Sequence, residues 1–360
     1  MNTLIVHVWV FARKREPLLD PKPDKHPPAH RKERDVRGAQ IISSSDMPVI
    51  NAPYTCPMRK LLAAALLLTP LTAFAWGHTG HEMINKIAAE KLPADMPKFL
   101  HTKQAIEEMQ YMGPEPDRWR YYKGEPELVS AQSPEHFIDL EYAWLYGKPL
   151  IRQRYDFIRQ VDAQSVLQKN PKIRAEGIGL LPYATTEIWQ RLKASMRTYR
   201  ALQKDHKSTR AVESLIIFYA GWLGHYVADG SQPLHTTYRY NGWEGDNPNG
   251  YSNDHKIHAK FEGEFVAHNL TEKEVAALVP ATPVPHKEIF SDFEAYITHT
   301  HSFVEKVYQL DKEHAFDGAG TPAGKAFALE RVAAGATELR DLIVFAWEQS
   351  ATPEPPYKGD

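Results

Sequence analysis

The sequence predicts an all-α fold, a single compact multi-helix domain over residues 76–360, on three observations. Long stretches carry apolar residues at helical spacing, strand-like alternation is scarce, and the intervening segments are rich in Gly, Pro, Asn and Asp. The first helix is expected in "HEMINKIAAEKL" (81–92), which Pro93 ends. "TTEIWQRLKASMRTYRALQKD" (185–205) is a second amphipathic run. "RAVESLIIFYAGWLGHYVADG" (210–230) is apolar almost all round, which predicts the central buried helix. "HKIHAKFEGEFVAHNL" (255–270) is a fourth, and residues 289–313 and 322–350 supply two long helices near the end. Loops are expected at "YMGPEPDRW" (111–119), "GIGLLPYA" (177–184) and "YRYNGWEGDNPNGYSND" (238–254). No internal repeat is present, and 285 residues is at the upper end of what one core covers.

The domain is expected to start at Trp76 because of what precedes it. Met58, Arg59 and Lys60 form a short basic start, and Leu61 to Ala75 is apolar apart from two threonines. The run ends in Ala73-Phe74-Ala75, a small-x-small cleavage pattern. Residues 58–75 therefore read as a secretory signal peptide, too short to span a bilayer comfortably, cut after Ala75 to give a secreted or periplasmic protein. Residues 1–57 are rich in Pro, Arg, Lys and Asp and read as disordered, or as a start codon assigned too far upstream.

Charge and cysteine content narrow the function classes. From Trp76 onward there are 32 basic and 39 acidic residues, a formal charge of −7. That argues against a broad basic surface tracking duplex DNA, but not against a site where bound cations attract phosphate. The single cysteine, Cys56, precedes the cut, so the mature chain has neither thiol nor disulfide. An exported protein without disulfides draws stability from elsewhere, and metal binding to the folded state is one route.

Histidine and carboxylate spacing supplies the candidate site. His225 and Asp229 are four apart on the expected central helix, His235 follows six residues later, and His258 and Glu262 are again four apart. An i, i+4 pair aims two side chains at one point, and zinc takes imidazole nitrogen and carboxylate oxygen. One such pair is more often a surface contact. Two of them, one inside the apolar "IFYAGWLGHYVADG", favour a metal, because a buried His and Asp must be satisfied by something.

The sequence resembles the zinc-dependent phospholipase C and single-strand-specific nuclease superfamily over nearly the whole mature chain. "WGHTGH" resembles that family's mature N-terminus, "EHFIDLE" its next histidine motif, "HYVADGSQPLH" its strongest signature and "HKIHAKFE" its final ligand pair. The resemblance implies an all-α domain around a cleft holding three zinc ions. One ion would be held by the terminal amine and carbonyl of Trp76 with His81 and a bridging Asp229. A second would use Asp117, His136, His225 and Asp229, and a third His235, His258 and Glu262. Cleavage before Trp76 would then complete the site, since a peptide nitrogen is a poor ligand and a free α-amine a good one.

The resemblance also implies the chemistry. Paired zinc ions lower the pKa of water and clamp the oxygens of a phosphodiester. Asp117 would also orient or deprotonate the nucleophile, and Arg120, three residues on, would stabilise transition-state charge. Phe137 and Asp139 match a base pocket, where an aromatic ring stacks and a carboxylate accepts from the base edge. Their plainer reading is a core Phe and a helix-capping Asp, and that of Arg120 is a surface arginine. The expected function is a zinc-dependent phosphodiesterase, an endonuclease on single-stranded DNA or RNA with nucleotidase activity as a companion. The His235–His258 spacing favours the nuclease branch, and Glu262 favours the alternative, a phospholipase C acting on phospholipid. The third reading is a non-enzymatic zinc-binding helical protein. No protein partner is evident from the sequence.

Overall fold

The computed structural model describes residues 76–170 and 173–353; the expected signal peptide and the segment before it lie outside the described residues. Chain folding at Trp76 starts from a left-handed backbone, φ 44° at Trp76 and 54° at Gly77, and enters α1 (Gly77–Glu90). Gly80, Met83, Ile84, Ile87 and Ala88 recur at helical spacing and are buried, so α1 packs one face inward. A short turn leads to α2 (Lys103–Met112), capped by Thr102, whose hydroxyl accepts from the Ala105 amide at 3.2 Å. Three short helices follow: α3 (Glu115–Tyr121), α4 (Pro126–Gln132) and α5 (Leu140–Ala143). Next come α6 (Arg154–Leu167), α7 (Ala175–Ile178), α8 (Leu181–Lys204) and α9 (Arg210–Ser231). After a long loop, a π-helix at Ala259–Phe265 runs into α10 (Val266–Asn269). The chain continues through α11 (Glu272–Leu278), α12 (Ile289–His301), α13 (Val304–Lys312) and α14 (Pro322–Gln349). Among the described residues there is no strand, only one antiparallel bridge between Ile138 and Gly179. The all-α expectation holds.

α9 is the axis of the packing, in contact with α1, α2, α8 and α14. Its second half, Leu223 to Ser231, is enclosed on every side, while Leu215 and Phe218 in the first half remain exposed. The close approach of α1 depends on glycine. A Cβ on Gly224 would lie 2.0 Å from Asn85 Oδ1, and Asn85 in turn donates through Nδ2 to the Met109 and Gly221 carbonyls, both at 2.8 Å. One buried amide thus ties α1, α2 and α9 together, and a neutral hydrogen bond of this kind contributes about 0.5–1.5 kcal/mol.

The departures from expectation have local causes. "YMGPEPDRW" was expected as loop, but Pro116 sits in the first turn of α3, where its missing N–H costs nothing. Residues 289–313 form two helices, because the chain turns at Ser302 and Phe303, with Ser302 Oγ donating to the His299 carbonyl at 2.6 Å. The fourth expected helix begins with π geometry, one residue wider per turn. No described helix is long and apolar enough to cross a membrane.

Candidate metal centre

Six segments deliver side chains to one place. His81 comes from the second turn of α1, Asp117 from α3, His136 from the turn before α5, His225 and Asp229 from the enclosed half of α9, and His235 from the turn just after it. His258 and Glu262 flank the start of the π-helix. Three groups form among them, each close enough to hold a metal ion: His81, His225 and Asp229; Asp117, His136 and His225; and His235, His258 and Glu262. The third group has the members expected from the sequence; the first brings in His225, expected only in the second set, and does not include Trp76, and the second does not include Asp229.

Asp229 stands at the centre. Its Oδ1 lies 3.5 Å from His81 Nε2 and 3.5 Å from His235 Nδ1, and its Oδ2 lies 3.3 Å from both His136 Nδ1 and His225 Nε2. Asp117 Oδ1 is 3.6 Å from His136 Nδ1, and Asp117 Oδ2 is 4.0 Å from His81 Nε2. Glu262 approaches His258 Nε2 at 2.9 Å and His235 Nε2 at 3.5 Å. The ring tautomers are set by backbone carbonyls. His225 Nδ1 donates to Gly113 at 2.7 Å, His235 Nδ1 to His136 at 2.7 Å and His258 Nδ1 to Tyr240 at 3.0 Å. Each bond turns Nε2 towards the centre, where His225 Nε2 meets His136 Nδ1 at 2.8 Å and His258 Nε2 meets Glu262, the arrangement that orients imidazole ligands in metal sites. Gly113 can serve because α1 passes close by: a Cβ there would meet the His81 carbonyl at 2.7 Å.

The buried polar atoms test whether cations fit. Both ring nitrogens of His81, both oxygens of Asp117 and Asp229, His136 Nε2, His235 Nε2 and Glu262 Oε1 are buried without a hydrogen bond. Leaving such groups unpaired costs several kcal/mol each. All belong to residues of the three groups, and the donor set, imidazole nitrogen with carboxylate oxygen, is that of zinc. The residues fit the ion. The electrostatics agree. Burial holds His81 and His136 well below the usual imidazole range, so both are neutral and able to donate a lone pair. Burial opposes ionisation of Asp229 and Glu262, but the surrounding histidines outweigh it and hold both carboxylates ionised, Glu262 at about 2. His235 is pushed up to about 9 by Asp229 and Glu262, which outweigh its own burial: two carboxylates there call for a positive charge.

Arg120 lies beside this centre, with Nη2 3.2 Å from Asp117 Oδ1. It also lines an open cleft of about 930 Å³ together with Phe137, Asp139, His235 and His258. Arg120 is largely buried beside the carboxylates, and Phe137 is half-buried against the cleft rather than in the core. Asp139 precedes α5 without capping it through its side chain. Burial, then Glu141 and Glu244, push the Asp139 carboxyl up to about 7.

Trp76 reaches the same place through its side chain. The indole is fully buried against Phe261, and its Nε1 donates to the Ala228 carbonyl at 2.7 Å and to Ser231 Oγ at 2.9 Å. Residue 76 is thereby fixed next to the α9 turn that carries Asp229. Sequence reasoning missed Gln232, which donates from Nε2 to Glu262 Oε2 at 2.8 Å while its Oε1 accepts from the Leu234 amide at 2.9 Å. The signal was present in "QPLH", a polar side chain between two ligands. It also passed over the carbonyls of Gly113 and Tyr240, which no side-chain pattern can show.

Comparison with known proteins bears on this geometry. No curated protein matches the sequence. Among solved structures, the alpha-toxin of Clostridium perfringens from avian strain SWCP aligns at 14% identity with a TM-score of 0.36, over 77% of this chain and 64% of that one. The alpha toxin of Clostridium absonum aligns at 13% identity with a TM-score of 0.40, over 79% of this chain and 68% of that one. The chain thus spans a little under two thirds of the C. perfringens toxin. The family model described as S1/P1 Nuclease matches residues 76–319, starting at Trp76 and taking in every residue of the centre. The chain belongs to the S1/P1 nuclease family.

Proposed function

We propose that the protein is an exported zinc-dependent phosphodiesterase that cleaves single-stranded DNA or RNA. The observation that carries this reading is the convergence of three groups of imidazoles and carboxylates, many of their polar atoms buried without a hydrogen bond, at the edge of a cleft of about 930 Å³. His81, Asp229 and the amine of Trp76 would hold one zinc ion, Asp117, His136, His225 and Asp229 a second, and His235, His258 and Glu262 a third. When bound, zinc supplies Lewis acidity and acidified water for phosphodiester hydrolysis.

The protein's own groups do the rest. Arg120 presents a guanidinium at the cleft beside Asp117, placed to meet negative charge growing on phosphate oxygens. Without a cation, burial outweighs Arg120 and His225 and pushes the Asp117 carboxyl up to about 6, a cost that a bound cation would relieve. Gln232 keeps Glu262 in place. Phe137 offers a ring face and Asp139 an acceptor for a base. Export, with removal of residues 58–75, is supported by the match beginning at Trp76 and by the anchored indole, which keeps a new chain end beside Asp229. The domain accordingly runs from 76 to 360.

Purified protein beginning at Trp76, loaded with zinc, tests the reading against three substrates: a single-stranded oligonucleotide, a mononucleotide and phosphatidylcholine. Cleavage of the oligonucleotide is expected. Diacylglycerol release from phosphatidylcholine with no nucleic-acid cleavage would overturn it, and zinc binding without any turnover would leave a non-enzymatic protein.

A further inference from the structure

In the group of Asp117, His136 and His225, the Gly113 carbonyl orients the His225 ring, but the His136 ring has no bond of that kind. Its Nδ1 faces His225 Nε2 at 2.8 Å, and its Nε2 is buried without a hydrogen bond. What bounds the ring is Tyr226, fully buried, which meets it edge-on with centroids 5.7 Å apart. The tyrosine is tied in turn to the residue next to His136 in the chain. Its hydroxyl donates to Glu135 Oε2 at 2.9 Å and lies 3.0 Å from Gln132 Oε1. The other oxygen of Glu135 accepts from Arg154 Nη1 at 3.0 Å, and Arg154 Nε lies 2.8 Å from Glu187 Oε1. Arg154 opens α6 and Glu187 belongs to α8, so one guanidinium fastens the His136 turn to two helices. The Arg154 and Glu135 side chains are only 17% and 15% exposed, so the pair is largely shielded from solvent. The backbone holds the same turn: the Leu180 amide donates to the Pro134 carbonyl at 2.6 Å and the Asp139 amide to the Ile178 carbonyl at 2.7 Å. The chain between His136 and His225 thus backs the turn that carries His136.

We propose that Arg154 is a positioning residue for the metal centre: through Glu135 and Tyr226 it holds the His136 imidazole in the orientation that receives zinc. The inference rests on the metal reading above and adds a residue that touches neither ion nor substrate. Outer partners that orient a ligating histidine typically carry about 10–100-fold in metal affinity. The sign of the effect separates positioning from charge. Arg154 is a cation, and removing it leaves Glu135 without its counter-charge, so electrostatics alone would make the centre bind a dication more tightly. Lost positioning makes it bind more weakly.

The test challenges zinc-loaded protein with a graded series of chelator and counts the zinc retained per chain. The parent is compared with Arg154→Ala, Arg154→Lys, Tyr226→Phe and the double variant of Arg154→Ala with Tyr226→Phe. One of the three ions should be held about 10–100-fold more weakly in Arg154→Ala, and likewise in Tyr226→Phe, which changes no charge. The double variant should be no worse than the single ones, because the two side chains act in series through Glu135. Arg154→Lys keeps a cation beside Glu135 and should recover most of the affinity. If Arg154→Ala does not fold, Tyr226→Phe decides the matter alone. Unchanged or tighter binding in the variants would overturn the positioning. So would a loss shared equally by all three ions together with a lower melting temperature of the stripped protein, the mark of a merely structural contact. A parent that holds no zinc would sink the metal reading itself; a parent that holds zinc no better than its variants sinks only the positioning.

Discussion

Asp229 and Arg120 sit on the same carboxylate–imidazole cluster but should respond very differently to substitution. Asp229 is within 3.5 Å of four histidines and is proposed to bridge two ions; Arg120 touches one carboxylate. Asp229→Asn should lose zinc and activity together, whereas Arg120→Ala should keep its zinc and lose about 10²–10³ in kcat. Zinc content measured alongside turnover checks this, and near-normal zinc and rate in Asp229→Asn would refute the bridge. Asp139 gives a pH dependence. Its carboxyl is pushed up to about 7 by burial, so the folded protein favours the protonated form and the stability it contributes declines as pH rises from about 3.8 through about 7. The ionised form is the one that accepts from a base edge. KM for a single-stranded substrate should therefore fall as pH rises through about 7, and Asp139→Asn should flatten that profile. A KM profile unchanged in Asp139→Asn would remove the residue from the base pocket. At this scale the sequence was most informative: the i, i+4 pairs His225/Asp229 and His258/Glu262 can be read from spacing. The backbone acceptors that fix the tautomers, Gly113 and Tyr240, cannot, because every residue carries a carbonyl.

Helices with strong periodicity were legible, and those made by context were not. α9 and α14 announce themselves by composition, and α8 begins at Leu181, four residues ahead of its expected start. The break between α12 and α13 carries no Gly or Pro, so nothing local marks it. It arises where His301 Nδ1 donates to the Thr236 carbonyl, a bond 65 residues away in sequence. The π-helix is equally silent in the sequence, yet it carries Glu262 into the centre. α12 also shows how an element is held at its start. Glu288 accepts from the Phe290 and Ser291 amides at 3.2 and 3.0 Å and pairs with Arg152. The Arg152 bond first, then those two amides, depress its carboxyl from 4.5 to about 2 against its partial burial. The resulting stability is complete above about 4.5 and is lost as pH falls towards 2. Glu288→Ala should cost about 0.5–2 kcal/mol at neutral pH, the range of a lost cap, and should flatten the acid limb of stability. Denaturant melts at pH 7 and pH 3 check it. A variant as stable as the parent at pH 7 would show that the cap contributes nothing.

The whole molecule places its ligands on segments from residue 76 to residue 262, so the centre exists only in the folded chain. That long-range assembly is why composition predicted the fold class and why motif order was needed to predict the site: no local pattern says that α1, α3 and α9 meet. The chain end matters at this scale too. Protein that retains Ala75 keeps every side chain but turns the Trp76 amine into an amide. It should fold, because the indole still bonds to Ala228 and Ser231, but it should bind less zinc and lose most activity. Trp76→Tyr with a free amine should retain more of both, and the opposite ranking would show that the side chain rather than the amine is what counts. The central claim is that the three groups hold zinc and that zinc is what makes the fold a phosphodiesterase. It is tested most directly by stripping the protein beginning at Trp76 with chelator and titrating zinc back, following the melting temperature and single-strand cleavage together. Stripping should lower Tm by a large amount, by mass action, and stability and cleavage should recover together and saturate near three ions per chain. An unchanged Tm and an unchanged cleavage rate after verified metal loss would contradict it.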